Sequence, residues 1–372
     1  MTRYWTTKVG CRQRYGDSAA GGRVGVGGQG SVTDSADDGL RHFALFYRDL
    51  DDYAHAIADF LQAGAAANEA AMVAVPGMKQ ERVRLALGQR HASGREPAGV
   101  SMTGAAAAAS MTATRAPAPT IFTDMLELGR NPARIMPAIQ AFIDGAAGEP
   151  IRFVGEPIWP GRSPAEICEA TRHEALINLA FEPASATILC LYDVAGLPED
   201  VIADARRTHP VLISGGRPER SRVFSGPHGM PAGCDHPLAG VPSGATVAGY
   251  ARDLRAVRTL VQNEARKAGL SQPRAVDLVL AVSEVAANTL RHTAAGGTIS
   301  VWQADGELIC QLADTGHISD PLAGRRSPDR DHPGGQGLWL VNQVCDLVEL
   351  RTGRDGTVAR LHMRLVGRPA QR

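Results

Sequence analysis

From Arg41 onward, short apolar runs alternate with stretches whose apolar residues recur every three or four positions. HFALFY (42–47) predicts a strand, and Tyr53, Ile57, Phe60 and Leu61 predict a helix over 49–64. AAMVAVP then predicts a buried strand and MKQERVRLALG a second helix. A helix over 132–146, strand IRFVGEPIW, helix 163–180, strand ATILCLYD and helix 198–208 continue the alternation. Strands separated by helices imply an α/β domain with a mostly parallel sheet, spanning 38–213. Residues 1–37 are rich in Gly, Ser and Asp without periodicity and predict a disordered tail. Residues 91–119, rich in Ala, Pro and Ser, predict a flexible insertion.

Gly, Pro and Ser clusters over 214–245 predict a linker. Beyond it, Val247, Tyr250, Leu254, Val257, Leu260 and Val261 predict one long amphipathic helix starting at Thr246. A second helix is expected from about Pro273, with Ser271 as its cap, to His292. Strands TISVWQ and ELICQLAD follow, then a polar stretch over 315–333, helix GLWLVNQVC, and strands DLVELRT and TVARLHMRL. Helices grouped against a run of strands predict a separate α+β domain over 246–366, with 367–372 as a tail.

The 372 residues suit two or three domains. Lys+Arg and Asp+Glu are 39 each, which argues against a nucleic-acid binder held by bulk positive charge. The 6 cysteines form no CxxC pair, so the spacing suggests neither a zinc site nor a disulfide framework and fits a reducing cytoplasm. No apolar run reaches the ~18 residues of a membrane span, and the N-terminus lacks the apolar stretch of a signal peptide. These features predict a soluble, cytoplasmic protein without membrane attachment.

Three features of the C-terminal region carry chemistry. Glu284, Asn288 and His292 recur every fourth residue on one helix and span about 80° of its circumference. Val279, Val282, Ala286 and Leu290 take the opposite side; such a polar face also suits plain solvation. Asp314-Thr315-Gly316 ends an apolar strand, where a carboxylate can accept from an exocyclic amine and glycine admits close approach. Gly334-Gly335-Gln336-Gly337 opens a helix and leaves amides bare for phosphate. No Walker GxxxxGK occurs; Gly77-Met78-Lys79 lacks the leading glycine. His173-Glu174 begins neither a zinc HExxH, since position 177 is Ile, nor a phosphoacceptor flanked by paired dimerisation helices.

Taken in order, ExxxNxxxH, DxG and GGxGLxL resemble the GHKL (HATPase_c) ATPase family, and within it the anti-sigma-factor-like serine/threonine kinases. The resemblance implies a Bergerat-type ATP-binding domain, a mixed sheet layered with helices, that uses ATP and Mg²⁺. By motif position Asn288 would hold Mg²⁺ and Glu284 would act as general base or hydroxyl orienter. Asp314 would read the adenine amine, while His292, Gly316, Gly334, Gly335, Gly337 and Leu338 would line the nucleotide. Ile318 stands where a complete DxGxG motif has glycine. Residues 319–333 resemble the lid over the phosphates, with Arg325 and Arg326 available to phosphate oxygens.

His42-x4-Tyr47, FTDMLELGRNPARIMP, GEPIWPGRSPAEI, RHEALINLAF and LCLYD resemble the MEDS sensory domain. That resemblance implies a RecA-related α/β fold without its phosphate loop, in which Glu156, Trp159, His173, Glu174 and Tyr192 would line a pocket for a small-molecule signal. Together the two resemblances imply a sensor coupled to a kinase of Ser/Thr on an anti-sigma antagonist, with an anti-anti-sigma protein or a sigma factor as partner and a homodimer as the expected assembly. A sensor histidine kinase and a non-catalytic ATP-gated binding module are the alternatives.

Overall fold

The computed structural model describes residues 39–93, 119–230, 234–328 and 335–365. The tail over 1–37, nearly all of the 91–119 insertion, Gly334 and the tail over 367–372 lie outside the described residues.

The first half alternates β1 (Arg41–Tyr47), α1 (Leu50–Ala66), β2 (Ala70–Val75), α2 (Gly77–Ser93), β3 (Thr120–Asp124) and the short α3 (Met125–Leu128). It continues with α4 (Ile135–Gly145), β4 (Ile151–Gly155), α5 (Pro164–Ala180), β5 (Ala186–Asp193), α6 (Glu199–Thr208), β6 (Val211–Ser214) and β7 (Arg217–Arg220). The strand order is β3-β2-β4-β5-β1-β6-β7, parallel except for β7. Both faces are covered, as a parallel sheet requires. Ala44 and Phe46 of β1 join Ile139, Leu176, Ile177 and Val201 in one core, while Phe43 and Leu45 join Tyr53, Ile57, Phe60 and Val83 in the other. The expected linker begins later than its composition suggests. Gly215 and Gly216, at φ of 55° and 74°, turn the chain so that Arg217–Arg220 pairs back on β6.

The second half contains β8 (Thr246–Tyr250), α7 (Leu254–Lys267), α8 (Gln272–His292), β9 (Gly297–Ala304) and β10 (Glu307–Asp314). It ends with α9 (Gln336–Val344), β11 (Leu347–Gly353) and β12 (Gly356–Arg364). The strands run β11-β12-β10-β9-β8, and every pairing is antiparallel where the resemblance implied a mixed sheet. The long helix expected from Thr246 is a strand followed by a helix. Residues 246–250 pair with β9, Val247 stays exposed, and the Asp253 side chain accepts from the Arg255 amide to start α7. Helices and sheet share one core that includes Val257, Val261, Val282, Ala286, Leu312 and Leu361.

His362 clamps three strands of this sheet. Its Nδ1 lies 2.8 Å from Glu307 Oε2 and its Nε2 3.0 Å from Glu349 Oε2. Burial alone would lower the imidazole pKa, but the two carboxylates outweigh it and push it up to about 9. A raised pKa stabilises fully below the unfolded value of about 6.5, and that stability is lost as pH rises through about 9. The wild-type melting temperature should therefore fall between neutral pH and pH ~9.5, as about 2 kcal/mol of stability is lost. His362→Gln should be less stable at neutral pH and nearly flat across that range. Parallel pH profiles of the two proteins would refute the clamp.

Candidate functional site

The apolar side of α8 (Leu278, Ala281, Val282, Val285 and Ala286) is buried in the second core, which turns Glu284, Asn288 and His292 outward into a cleft. Ser271 occupies the cap position of α8, although its side chain makes no capping bond. The cleft has a volume of about 780 Å³ and lies between α8, the end of β10, the loop after it and the start of α9. Glu284, Asn288, His292, Asp314, Gly316, Gly335, Gly337 and Leu338 all line it. Residues brought from three separate stretches of sequence thus share one concave surface.

Asp314 is held on both oxygens. Oδ1 accepts from the Gly316 amide at 2.7 Å and Oδ2 from Thr289 Oγ1 at 2.5 Å. The Tyr250 hydroxyl in turn donates to Thr289 Oγ1 at 3.1 Å. Burial pushes the Tyr250 phenol above its ordinary value, so it remains a donor at neutral pH. Tyr250 and Thr289 therefore position the carboxylate, and neither was expected to serve the site. A hydroxyl one residue after Asn288, one helical step around toward the sheet, was the available signal. A side chain at Gly316 would meet Asp314 Oδ1 at 2.9 Å and Thr293 at 3.0 Å, so the backbone passes too close for one. The segment with Ile318 in place of glycine is pinned instead: its amide donates to Thr352 Oγ1 at 3.0 Å, and Thr357 Oγ1 donates to the Gly316 carbonyl at 2.9 Å.

The start of α9 closes the other side of the cleft. Gly335 takes φ of 72°, in the left-handed region open to glycine, and no side chain caps the helix. The first-turn amides of α9 are thus left to the cleft with the positive end of the helix dipole. A Cβ on Gly337 would stand 2.8 Å from Glu284 Oε2 and 3.5 Å from Asn288 Nδ2, so glycine lets the two helices meet. Asn288 Oδ1 accepts from Arg291 Nη1 at 2.8 Å. The Asn288 carboxamide oxygen and the Glu284 carboxylate supply hard oxygen donors suited to magnesium, the Asp314 carboxylate supplies an acceptor for an exocyclic amine, and bare helix amides supply phosphate donors. The residues present fit a magnesium nucleotide.

Arg325 and Arg326 do not line this cleft. Arg326 is exposed, and Arg325 is buried with Nη2 2.5 Å from Glu169 Oε2 on α5 of the first half. Glu169 Oε1 also accepts from Arg351 Nη1 at 2.6 Å. Leu322 packs into the core of the first half, and Asn342 Nδ2 ties the Gly324 carbonyl to α9 at 3.0 Å. Asn131 donates to the Asn342 carbonyl at 3.0 Å, and Arg130 pairs with Asp346 at 3.0 Å. The root of the expected lid is therefore fastened to the first half of the chain. A local sequence pattern cannot show pairing between residues 156 positions apart.

The five residues expected to form one sensor pocket separate into distinct surroundings. Glu156 sits beyond β4, accepting from Tyr47 at 2.8 Å, Tyr53 at 3.1 Å and Lys79 at 2.6 Å. The Gly77-Met78-Lys79 string thus contributes an ion pair to a satisfied network rather than a phosphate contact. Trp159 is half-buried beneath the Arg162 guanidinium, 3.6 Å from its ring centre. His173 is buried, with burial lowering its pKa to about 4. Glu174 and Tyr192 belong instead to a cluster with His42, Cys190 and His209. Burial, then the neighbouring His209, lowers the His42 pKa to about 4.

Among the described residues no helix is long and apolar enough to cross a membrane. Residues 41–210 match the family model of MEDS, the methanogen/methylotroph DcmR sensory domain, and residues 247–363 match the histidine kinase-like ATPase domain. No curated protein matches the chain. Among solved structures, the RsbU and RsbW domains of Rv1364c from Mycobacterium tuberculosis share 22% identity over 35% of this chain and 34% of that one. The TM-score is 0.26, too low for that likeness to carry an argument. The chain joins a MEDS sensory domain to a histidine kinase-like ATPase domain.

Proposed function

We propose that this protein is an ATP-dependent signalling regulator whose MEDS domain controls a protein kinase module that phosphorylates serine or threonine on a partner of the anti-anti-sigma class. The observation that carries this reading is the convergence of Glu284, Asn288, Asp314 and the bare start of α9 on one cleft. Asn288 would hold the magnesium of the bound nucleotide, and Asp314 would accept from the adenine amine. Glu284, one helical turn before Asn288, would orient the partner's hydroxyl and take its proton as the γ-phosphoryl moves. Phosphoryl transfer asks chiefly for positioning and charge neutralisation, which this donor set supplies.

A histidine kinase reading is disfavoured by the burial of His173, 1% exposed within α5, where no phosphate donor reaches it. The fastening of Leu322 and Arg325 to the first half supports a sensor that acts through the lid. The test incubates the full chain with labelled ATP, Mg²⁺ and candidate anti-anti-sigma proteins. Acid-stable label on the partner is expected. Acid-labile label would transfer the reading to histidine, and ATP-dependent partner binding without label would reduce the protein to a gated binding module. Glu284→Ala should keep ATP affinity within about threefold and lower transfer by about 10²–10⁴-fold, the usual range for a general base. Undiminished transfer in that variant would remove Glu284 from the chemistry.

A further inference from the structure

We infer that the MEDS domain holds a divalent transition-metal ion of the zinc class, ligated by His42 Nε2, His209 Nε2, Cys190 Sγ and a Glu174 carboxylate oxygen. The four side chains come from β1, the end of α6, β5 and α5, and their donor atoms all lie within 4.8 Å of one another. Each residue is at most 1% exposed. His42 Nε2 is 3.2 Å from Glu174 Oε2 and 3.4 Å from Cys190 Sγ, and His209 Nε2 is 3.2 Å from the same Glu174 oxygen.

The hydrogen bonds around the cluster determine what those atoms present. Asn178 Nδ2 donates to the Thr208 carbonyl at 2.8 Å, which orients its amide so that Oδ1 faces His42 Nδ1 at 3.1 Å. His42 Nδ1 therefore carries the hydrogen. His209 Nδ1 lies 2.8 Å from the Ala205 carbonyl and carries its hydrogen as well. In the neutral imidazoles both Nε2 lone pairs then aim at the Glu174 carboxylate, itself an acceptor, and only the Cys190 thiol and the Tyr192 hydroxyl have protons to offer there. Consistent with this, His209 Nε2 and Glu174 Oε1 are buried without hydrogen-bond partners. Lone pairs converging on one point inside an apolar core repel one another unless a cation stands between them.

The ligand chemistry narrows the ion. Two imidazoles, a thiolate and a carboxylate form a borderline-soft tetrahedral set, which suits Zn²⁺ and its divalent neighbours and disfavours Mg²⁺ and Ca²⁺. Each histidine donates its second nitrogen to an amide carbonyl, the outer arrangement that orients metal-ligating imidazoles. Four protein ligands and full burial describe a closed site, and binding would release the Cys190 proton. Because the ligands join β1, β5, α5 and the end of α6, an ion there would staple the sheet to the helix that carries Glu169. The inference is independent of the nucleotide reading.

The experiment uses the full chain, stripped with a chelator and then titrated with Co²⁺ as the probe, beside a Zn²⁺-loaded sample analysed for metal content. One metal per chain is expected, with the visible absorption of tetrahedral cobalt and a near-ultraviolet sulfur-to-cobalt band. Cys190→Ser, which nearly conserves volume, should lose the sulfur band while retaining its circular dichroism. His209→Gln should lower the metal retained after dialysis by at least about tenfold, the usual size of a lost metal-site interaction. A folded wild-type chain that retains no metal would overturn the inference, as would a sulfur band that survives Cys190→Ser.

Discussion

Asp314→Ala should weaken ATP binding by about 100-fold or more while leaving the protein folded. The carboxylate stands at the inner end of the cleft with each oxygen holding one donor and keeping a lone pair to spare. A charge-assisted hydrogen bond to the adenine amine contributes about 1.5–3 kcal/mol, and leaving that amine unpaired in a closed site adds about 1–3 kcal/mol. Their sum of about 2.5–6 kcal/mol brackets, from slightly below, the ~2.8 kcal/mol that corresponds to 100-fold. Asp314→Asn is the sharper variant. It keeps the shape of the side chain, but whichever way the amide turns, its NH₂ opposes either the Gly316 amide or the Thr289 hydroxyl. Asn288→Ala should behave differently, abolishing the magnesium-dependent part of binding and sparing the part seen with chelator. Calorimetric titration of ATP with and without Mg²⁺ separates the two. An Asp314→Ala protein that melts normally and binds ATP with unchanged affinity would remove the cleft from consideration as an adenine site.

What was legible in the chain followed the range of the physics involved. Glu284, Asn288 and His292 were readable because helical periodicity fixes which residues share a face, and Asp314-Thr315-Gly316 because a strand end is a local event. Residues 246–250 were misread because Val247 and Tyr250 are three apart and suit a helical stripe, while the edge pairing that makes them a strand lies in β9. The polar side chains of α5 show a different limit. Glu166, Glu169, His173 and Glu174 have the polarity of a solvated face, yet all four are buried. The helix is covered on one side by its own sheet and on another by the second half of the chain, so no apolar stripe betrays its environment. The histidine–cysteine cluster was invisible for the same reason, since spacing rules detect ligands close in sequence and these span 42–209. The expected phosphate role of Arg325 had the right charge and the right segment, but a partner 156 positions away had claimed the guanidinium.

That pairing yields the second large effect. Glu169 is 1% exposed and its two oxygens are shared between Arg325 and Arg351, with Arg172 3.8 Å away on the next turn of α5. Removing the carboxylate leaves three guanidinium groups facing one another across an interface from which water is largely excluded. The cost of breaking such a buried pair is about 3–5 kcal/mol, because the remaining charges lose compensation rather than merely a contact. Glu169→Gln should therefore destabilise the docking of the segment around Leu322 and Arg325, and protease should cut there faster. Gly324 lies directly against Leu338 on the first turn of α9, so a released segment stands beside the phosphate end of the cleft. Freed from Glu169, Arg325 becomes available to phosphate oxygens, and ATP affinity should rise by at least about fivefold, the lower end of typical coupling between sites. Arg325→Met in the Glu169→Gln background should restore much of the lost stability, since it removes an uncompensated buried charge, but should cancel the gain in affinity. If Glu169→Gln lowers the melting temperature and leaves nucleotide affinity untouched, the contact is structural alone. If affinity rises and falls with Arg325 as stated, the sensor restrains the nucleotide site by holding a cation that the triphosphate would otherwise attract.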